Sequence, residues 1–142
     1  MRLHVNFEKS WLLEDDQCGS SPTITIFWEC EGKFYPEEDW VDSGAVILGW
    51  WMVALERIRD GSKQEELVFM EGPYSLKLAA NHQNMNLEIR TQNSPYKWQV
   101  QFDQLVKEVL KGANDAVQIF EELNIANRDR ETLSEGVRRL RI

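Results

Sequence analysis

The chain has 142 residues, 42% of them apolar and 28% charged, with a net charge of −8 from 16 Lys and Arg against 24 Asp and Glu. These proportions belong to a folded globular chain, and the length points to one domain over residues 1–142. The excess acid excludes nucleic acid and anionic membrane surfaces as partners, and no run approaches the roughly 20 apolar residues that cross a bilayer.

Leu3, Val5 and Phe7 alternate with His4, Asn6 and Glu8, a period of two that predicts a strand with one wet face. This opening holds no continuous apolar segment and no small-residue cleavage site. No secretion signal is expected, and the cytoplasm is the expected compartment. Residues 15–22 are dense in turn formers and predict a loop. Residues 23–30 (TITIFWEC) are β-branched and aromatic and predict a strand. Glu31, Gly32 and Lys33 then form a turn, and Phe34-Tyr35-Pro36 leads into Glu37, Glu38, Asp39 and Trp40. A helix is predicted over residues 42–59, capped by Asp42 or Ser43 and stopped by Gly61. Its apolar positions run almost all round, so it must be covered on most sides. A pair of buried strands is the alternative for residues 45–55.

Three strands with short connections follow, at residues 66–70, around Tyr74, Leu76 and Leu78, and around Met85, Leu87 and Ile89. Together they predict an antiparallel meander, to which residues 96–100 add a short strand. From Phe102 to Leu123 apolar residues recur at spacings of three and four, an amphipathic helix lying on a sheet. Gly112 weakens it by roughly 1 kcal/mol relative to Ala, which implies a close backbone approach there. Leu133, Val137 and Leu140 mark a short C-terminal helical tail over residues 128–142. It either docks on its own domain or pairs with a second copy in a homodimer. The expected fold is α+β, an antiparallel sheet of about five or six strands with two main helices packed on one face.

Residues with chemistry are sparse. His4 sits on the polar side of a strand and His82 in a polar turn, and neither has a metal-ligand neighbour at a suitable spacing. There is no Gly-rich phosphate loop and no G-x-S-x-G elbow. Cys18 and Cys30 match no zinc or redox motif and are expected as free thiols. The carboxylates Glu29 and Glu31 share a predicted strand face, and Glu37, Glu38, Asp39 and Asp42 cluster. Their abundance argues for a solvated acidic surface over an acid/base pair. No catalytic residue, cofactor or metal is expected.

Charge and tryptophan carry more information. Residues 8–42 hold ten acids against two bases, while the five arginines of residues 128–142 face three acids. Trp28, Trp50 and Trp51 are most simply core, and the alternative is that with Trp98 they line a small-molecule pocket. Trp40 stands amid Glu37, Glu38, Asp39 and Asp42. It is either an aromatic anchor for a partner or a staple holding the following helix to the sheet.

Residues 34–42 (FYPEEDWVD), then Leu48-Gly49-Trp50-Trp51 and Phe69-Met70-Glu71-Gly72-Pro73-Tyr74, make a recurring pattern. It resembles small bacterial immunity-type proteins of polymorphic toxin systems, over about residues 34–123. Glu71 stands where that pattern favours Asp. The resemblance implies a protein encoded beside a toxin, which it neutralises by direct binding. It implies no catalytic residues.

The expected function is therefore a non-enzymatic cytoplasmic binding protein. Its basic protein partner would be met by Glu14, Asp15, Asp16, Glu37, Glu38, Asp39, Trp40 and Asp42. The rival readings are a small-molecule binder and a carboxylate-based hydrolase.

Overall fold

A computed structural model describes residues 1–141. Among the described residues the elements run β1 (Arg2–Asn6), α1 (Lys9–Gln17), β2 (Thr23–Cys30), β3 (Lys33–Tyr35), β4 (Val41–Ser43), α2 (Gly44–Arg59), β5 (Gln64–Val68), β6 (Ser75–Asn81), β7 (Asn86–Thr91), β8 (Lys97–Gln101), α3 (Phe102–Leu123) and α4 (Asn127–Arg141). The class is α+β, as expected, but the strands form two antiparallel sheets of four in place of one sheet of five or six.

In the first sheet β2 is central. Thr25 pairs with both Asn6 of β1 and Val41 of β4, and Trp28 with both Leu3 of β1 and Tyr35 of β3. A residue has only two neighbours across a sheet, so β3 and β4 share the edge opposite β1. Glu31 and Gly32 close the β2–β3 hairpin with φ of 53° and 76°, the paired positive values that a two-residue hairpin turn requires. Glu31 is thus in a turn and does not share a strand face with Glu29. The second sheet is the expected meander, extended by β8, in the order β5-β6-β7-β8.

The division follows from α2. Residues 44–59 form a helix, not a strand pair, and it buries Ala45, Ile47, Leu48, Trp51, Met52, Ala54, Leu55 and Ile58. A single sheet covers one side of a helix. Here α2 packs on β2 and β4 of one sheet, β5 of the other, and also α3 and α4. That distribution satisfies its nearly all-round apolar surface. Trp28 of β2 meets Trp51 of α2 with ring centroids 5.6 Å apart, and both indoles are fully buried. The Trp51 indole N–H donates to Val68 O at 2.9 Å. Tyr35 ties the two sheets together: its hydroxyl accepts the Ser75 N–H at 2.8 Å and donates toward Ser75 O and Gln92 O at 2.9 and 2.6 Å.

The long helix α3 crosses β1 at Gly112. A Cβ there would stand 3.1 Å from Leu3 Cδ2 and 3.2 Å from Val5 Cγ2, so the close approach expected at this glycine is present. The C-terminal segment is a helix of 15 residues whose Leu133, Val137 and Leu140 are buried, packed on α2 and α3 of its own chain. Ile142, the last residue of the expected tail, lies outside the described residues. Residues 9–17, of which 15–17 were expected in a loop, form α1. No described helix is long and apolar enough to cross a membrane.

Candidate partner-binding surface

Strand alternation decides which residues of the first sheet meet solvent. On β2, Ile24, Ile26, Trp28 and Cys30 face the core, which puts Thr23, Thr25, Phe27 and Glu29 on the other face. Directly paired residues share a face, so Arg2, His4 and Asn6 of β1, Phe34 of β3 and Val41 of β4 join them. Phe27 is only 4% exposed although it lies on this outer face. The His4 ring stacks on it at 4.8 Å and 11°, and Phe34 meets it edge-on at 5.9 Å. His4 Nε2 lies 2.7 Å from Glu29 Oε1, which holds the imidazole in that stack.

The same alternation sorts the predicted contact residues. Asp42 pairs with Ile24, on the core face, and is 2% exposed. Its carboxylate accepts the Trp40 indole N–H at 3.1 Å, the Ser43 N–H at 2.7 Å and the Glu71 N–H at 3.1 Å. The expectation that Asp42 contacts a partner is thereby corrected: a carboxylate this buried is retained by its donors and presents nothing outward. Trp40 is half-buried, with ring centroids 5.1 Å from Tyr74 and 6.5 Å from Phe69, and its backbone O accepts the Ile26 N–H at 2.8 Å. These contacts are with β2, β4 and the β5–β6 connection, and none of them is with α2.

Glu37, Glu38 and Asp39 are exposed on the β3–β4 connection. Asp39 has φ of 62°, and the Trp40 N–H donates to Glu37 O at 3.3 Å, so the segment is a tight turn that holds its side chains outward. On α1, Glu14 and Asp16 are exposed and Asp15 is half-buried. Asp15 Oδ2 accepts the Thr23 N–H at 2.8 Å, and Asp16 Oδ1 accepts the Ala126 N–H at 3.1 Å at the α3–α4 corner. Among the described residues, none of Glu14, Asp15, Asp16, Glu37, Glu38 and Asp39 lies within ion-pair distance of a base. In the C-terminal helix, Arg138 and Arg139 pair with Glu135 of their own helix, and Arg130 donates to Asn127.

Two residues outside the predicted set complete this surface. Trp11 is 40% exposed and Val41 38% exposed, and with Glu14, Asp15 and Thr23 they line a hollow of about 290 Å³ between α1 and the first sheet. Val41 stands two residues from Asp39, so the hollow borders the acidic β3–β4 turn. The run Trp11-Leu12-Leu13 carried the signal. A short helix on a surface turns one residue in three or four inward; here that residue is Leu12, which leaves Trp11 and Leu13 outside.

The alternative tryptophan pocket is not assembled, and of the three tryptophans expected in the core Trp50 is not there. Trp28 and Trp51 fill the core, Trp98 stacks on Tyr96 at 5.5 Å, and Trp50 is 47% exposed on α2. The principal hollows of the surface are lined by other residues. Cys18 is an exposed free thiol and Cys30 a buried one, whose pKa burial pushes up. Among the described residues no group of three His, Cys, Asp or Glu side chains is placed to hold a metal ion. Comparison of the chain with protein-family models, with curated proteins and with solved structures returns no match.

Proposed function

We propose that this chain is a non-enzymatic, cytoplasmic binding protein of the immunity type, which neutralises a basic toxin domain encoded beside it by covering it with the outer face of the first sheet. One observation carries the reading. Glu14 lines one hollow with the exposed Trp11 and Val41, and the uncompensated, exposed Glu37, Glu38 and Asp39 stand on the turn that leads into Val41. An apolar centre with a charged rim is the anatomy of a protein interface, and a one-sided negative field steers a basic partner toward it. His4, Phe27 and Phe34 give that face a rigid floor, so little ordering is left for binding to impose.

The test is association with the purified product of the neighbouring gene, its active site disabled, followed by stopped-flow fluorescence across ionic strength. The on-rate is expected to fall about tenfold or more between low and high salt, because exposed charges are screened beyond ~10 Å at 0.1 M salt. An on-rate indifferent to salt would overturn the electrostatic part of the reading. Failure to bind would overturn the whole of it.

A further inference from the structure

We propose that the hollow between α1 and β4 receives a single arginine side chain of that partner, an inference that rests on the partner-binding reading above. Its five lining residues are Trp11, Glu14, Asp15, Thr23 and Val41. The space, about 290 Å³, lies at the lower bound of the roughly 300–1,000 Å³ typical of small-molecule sites and suits one long side chain. Trp11 and Val41 contribute apolar wall, and Glu14 and Asp15 join Trp11 in the lining because they follow it by three and four residues on the same face of α1.

The carboxylates are differently prepared. Asp15 is held in place through Oδ2 by the Thr23 N–H, and its Oδ1 has no partner among the described residues. Glu14 is exposed and makes no side-chain hydrogen bond or ion pair among the described residues. The hollow therefore offers two carboxylates and the face of an indole, and its side-chain donors are the indole N–H of Trp11 and the Thr23 hydroxyl. A guanidinium matches this set best. It is planar, stacks on an indole, and presents N–H groups in its plane to carboxylates. A lysine ammonium supplies the charge but neither the flat face nor the fork, and a neutral ureido group keeps the shape but loses the charge.

The experiment uses capped Gly-Arg-Gly, Gly-Lys-Gly and Gly-citrulline-Gly peptides as probes, titrated into the full-length ¹⁵N-labelled protein. The indole N–H resonance of Trp11 is assigned by its loss in Trp11→Phe. Saturable movement of that resonance is expected with the arginine peptide, and binding about tenfold weaker with the lysine and citrulline peptides. Glu14→Gln, at an exposed position, is expected to weaken the arginine peptide several-fold while leaving the rest of the spectrum in place. Absence of a saturable shift overturns the proposal, as does a citrulline or lysine peptide that binds equally well. These outcomes concern the hollow alone: a salt-dependent on-rate with the whole partner would still stand if they occurred. Conversely, arginine binding without partner association would remove the function and leave the hollow.

Discussion

The indole N–H of Trp40 donates to the carboxylate of Asp42 at 3.1 Å, and the same carboxylate oxygen accepts the Glu71 N–H from the β5–β6 turn. Trp40, which reads in sequence as either a partner anchor or a staple, and Asp42, which reads as a contact residue, therefore tie β4 to the β5–β6 turn. The outward-facing position of this strand is one residue away, at Val41.

Asp42 should be costly to remove. In Asp42→Ala the Trp40, Ser43 and Glu71 donors lose their acceptor inside a nearly closed site. A loss of about 2–4 kcal/mol is expected, since each buried unsatisfied donor costs about 1–3 kcal/mol and part of the space admits water. Urea denaturation reads the change as a lower midpoint at unchanged slope. A variant as stable as the parent would show that these three bonds contribute nothing net.

Tyr35 gives the fold an alkaline limit. Burial is the main cause that raises its pKa to about 12 from 10, opposed by its bonds to Ser75 and Gln92. The folded state thus favours the neutral phenol. Its contribution is complete below pH 10 and is lost as pH rises from 10 toward 12, because the unfolded chain ionises first. Stability is expected to fall by about 2 kcal/mol over that interval through this group. Tyr35→Phe should flatten that part of the pH profile. It should also cost about 1–3 kcal/mol at neutral pH, where the Ser75 N–H loses its acceptor. Chemical denaturation at pH 7, 10 and 11.5 separates the two effects.

What could be read from sequence depended on periodicity. Thr23–Cys30 and Phe102–Leu123 match their predicted bounds, because each carries a full period of two or of 3.6 over many residues. The meander was legible from alternation and short turns. The single-sheet expectation failed because nothing local records that α2 stands between the strand sets; only its all-round apolar surface hinted at cover from several sides. Helix α1 was missed because Leu12 is its single buried residue, and β3 and β4 because three residues show no period. That last omission misplaced Asp42. Once residues 41–43 are a strand, alternation with Ile24 turns Asp42 inward and Val41 outward.

Gly44 should be far less tolerant of alanine than Gly112. A Cβ at Gly44 would sit 2.7 Å from Ile24 Cβ, an atom fixed to the backbone of β2. Gly44→Ala is expected to destabilise by about 1–3 kcal/mol, since α2 and β2 must separate. At Gly112 the nearest atoms, Leu3 Cδ2 at 3.1 Å and Val5 Cγ2 at 3.2 Å, are ends of partly buried side chains that can shift. The gain of about 1 kcal/mol in helix propensity offsets that strain, so Gly112→Ala should fall within about 1 kcal/mol of the parent. Thermal unfolding of the two variants side by side tests the distinction. Equal losses would mean that α3 presses on β1 as rigidly as α2 does on β2.

Charge and apolar contact on the first sheet should separate kinetically. If the proposed function holds, Glu37, Glu38 and Asp39 would act at a distance, before the partner docks, whereas Trp11 and Val41 would act once water has been expelled. The Glu37→Lys/Glu38→Lys double variant is therefore expected to lower the on-rate about tenfold with little change in the off-rate. Trp11→Ala should raise the off-rate by an amount equal to about 2 kcal/mol of affinity and leave the on-rate nearly unchanged. Trp11 and Val41 are 40% and 38% exposed, so neither truncation should cost more than about 1 kcal/mol of folding stability. Asp42, being buried, belongs to neither class: a conservative Asp42→Asn that still folds should leave both rates alone. Biolayer interferometry at two salt concentrations measures the on- and off-rates of the parent and of all three variants. If Trp11→Ala changed neither rate, the apolar centre of this surface would have to be sought elsewhere, with the exposed Trp50 and Val53 of α2 the next residues to truncate.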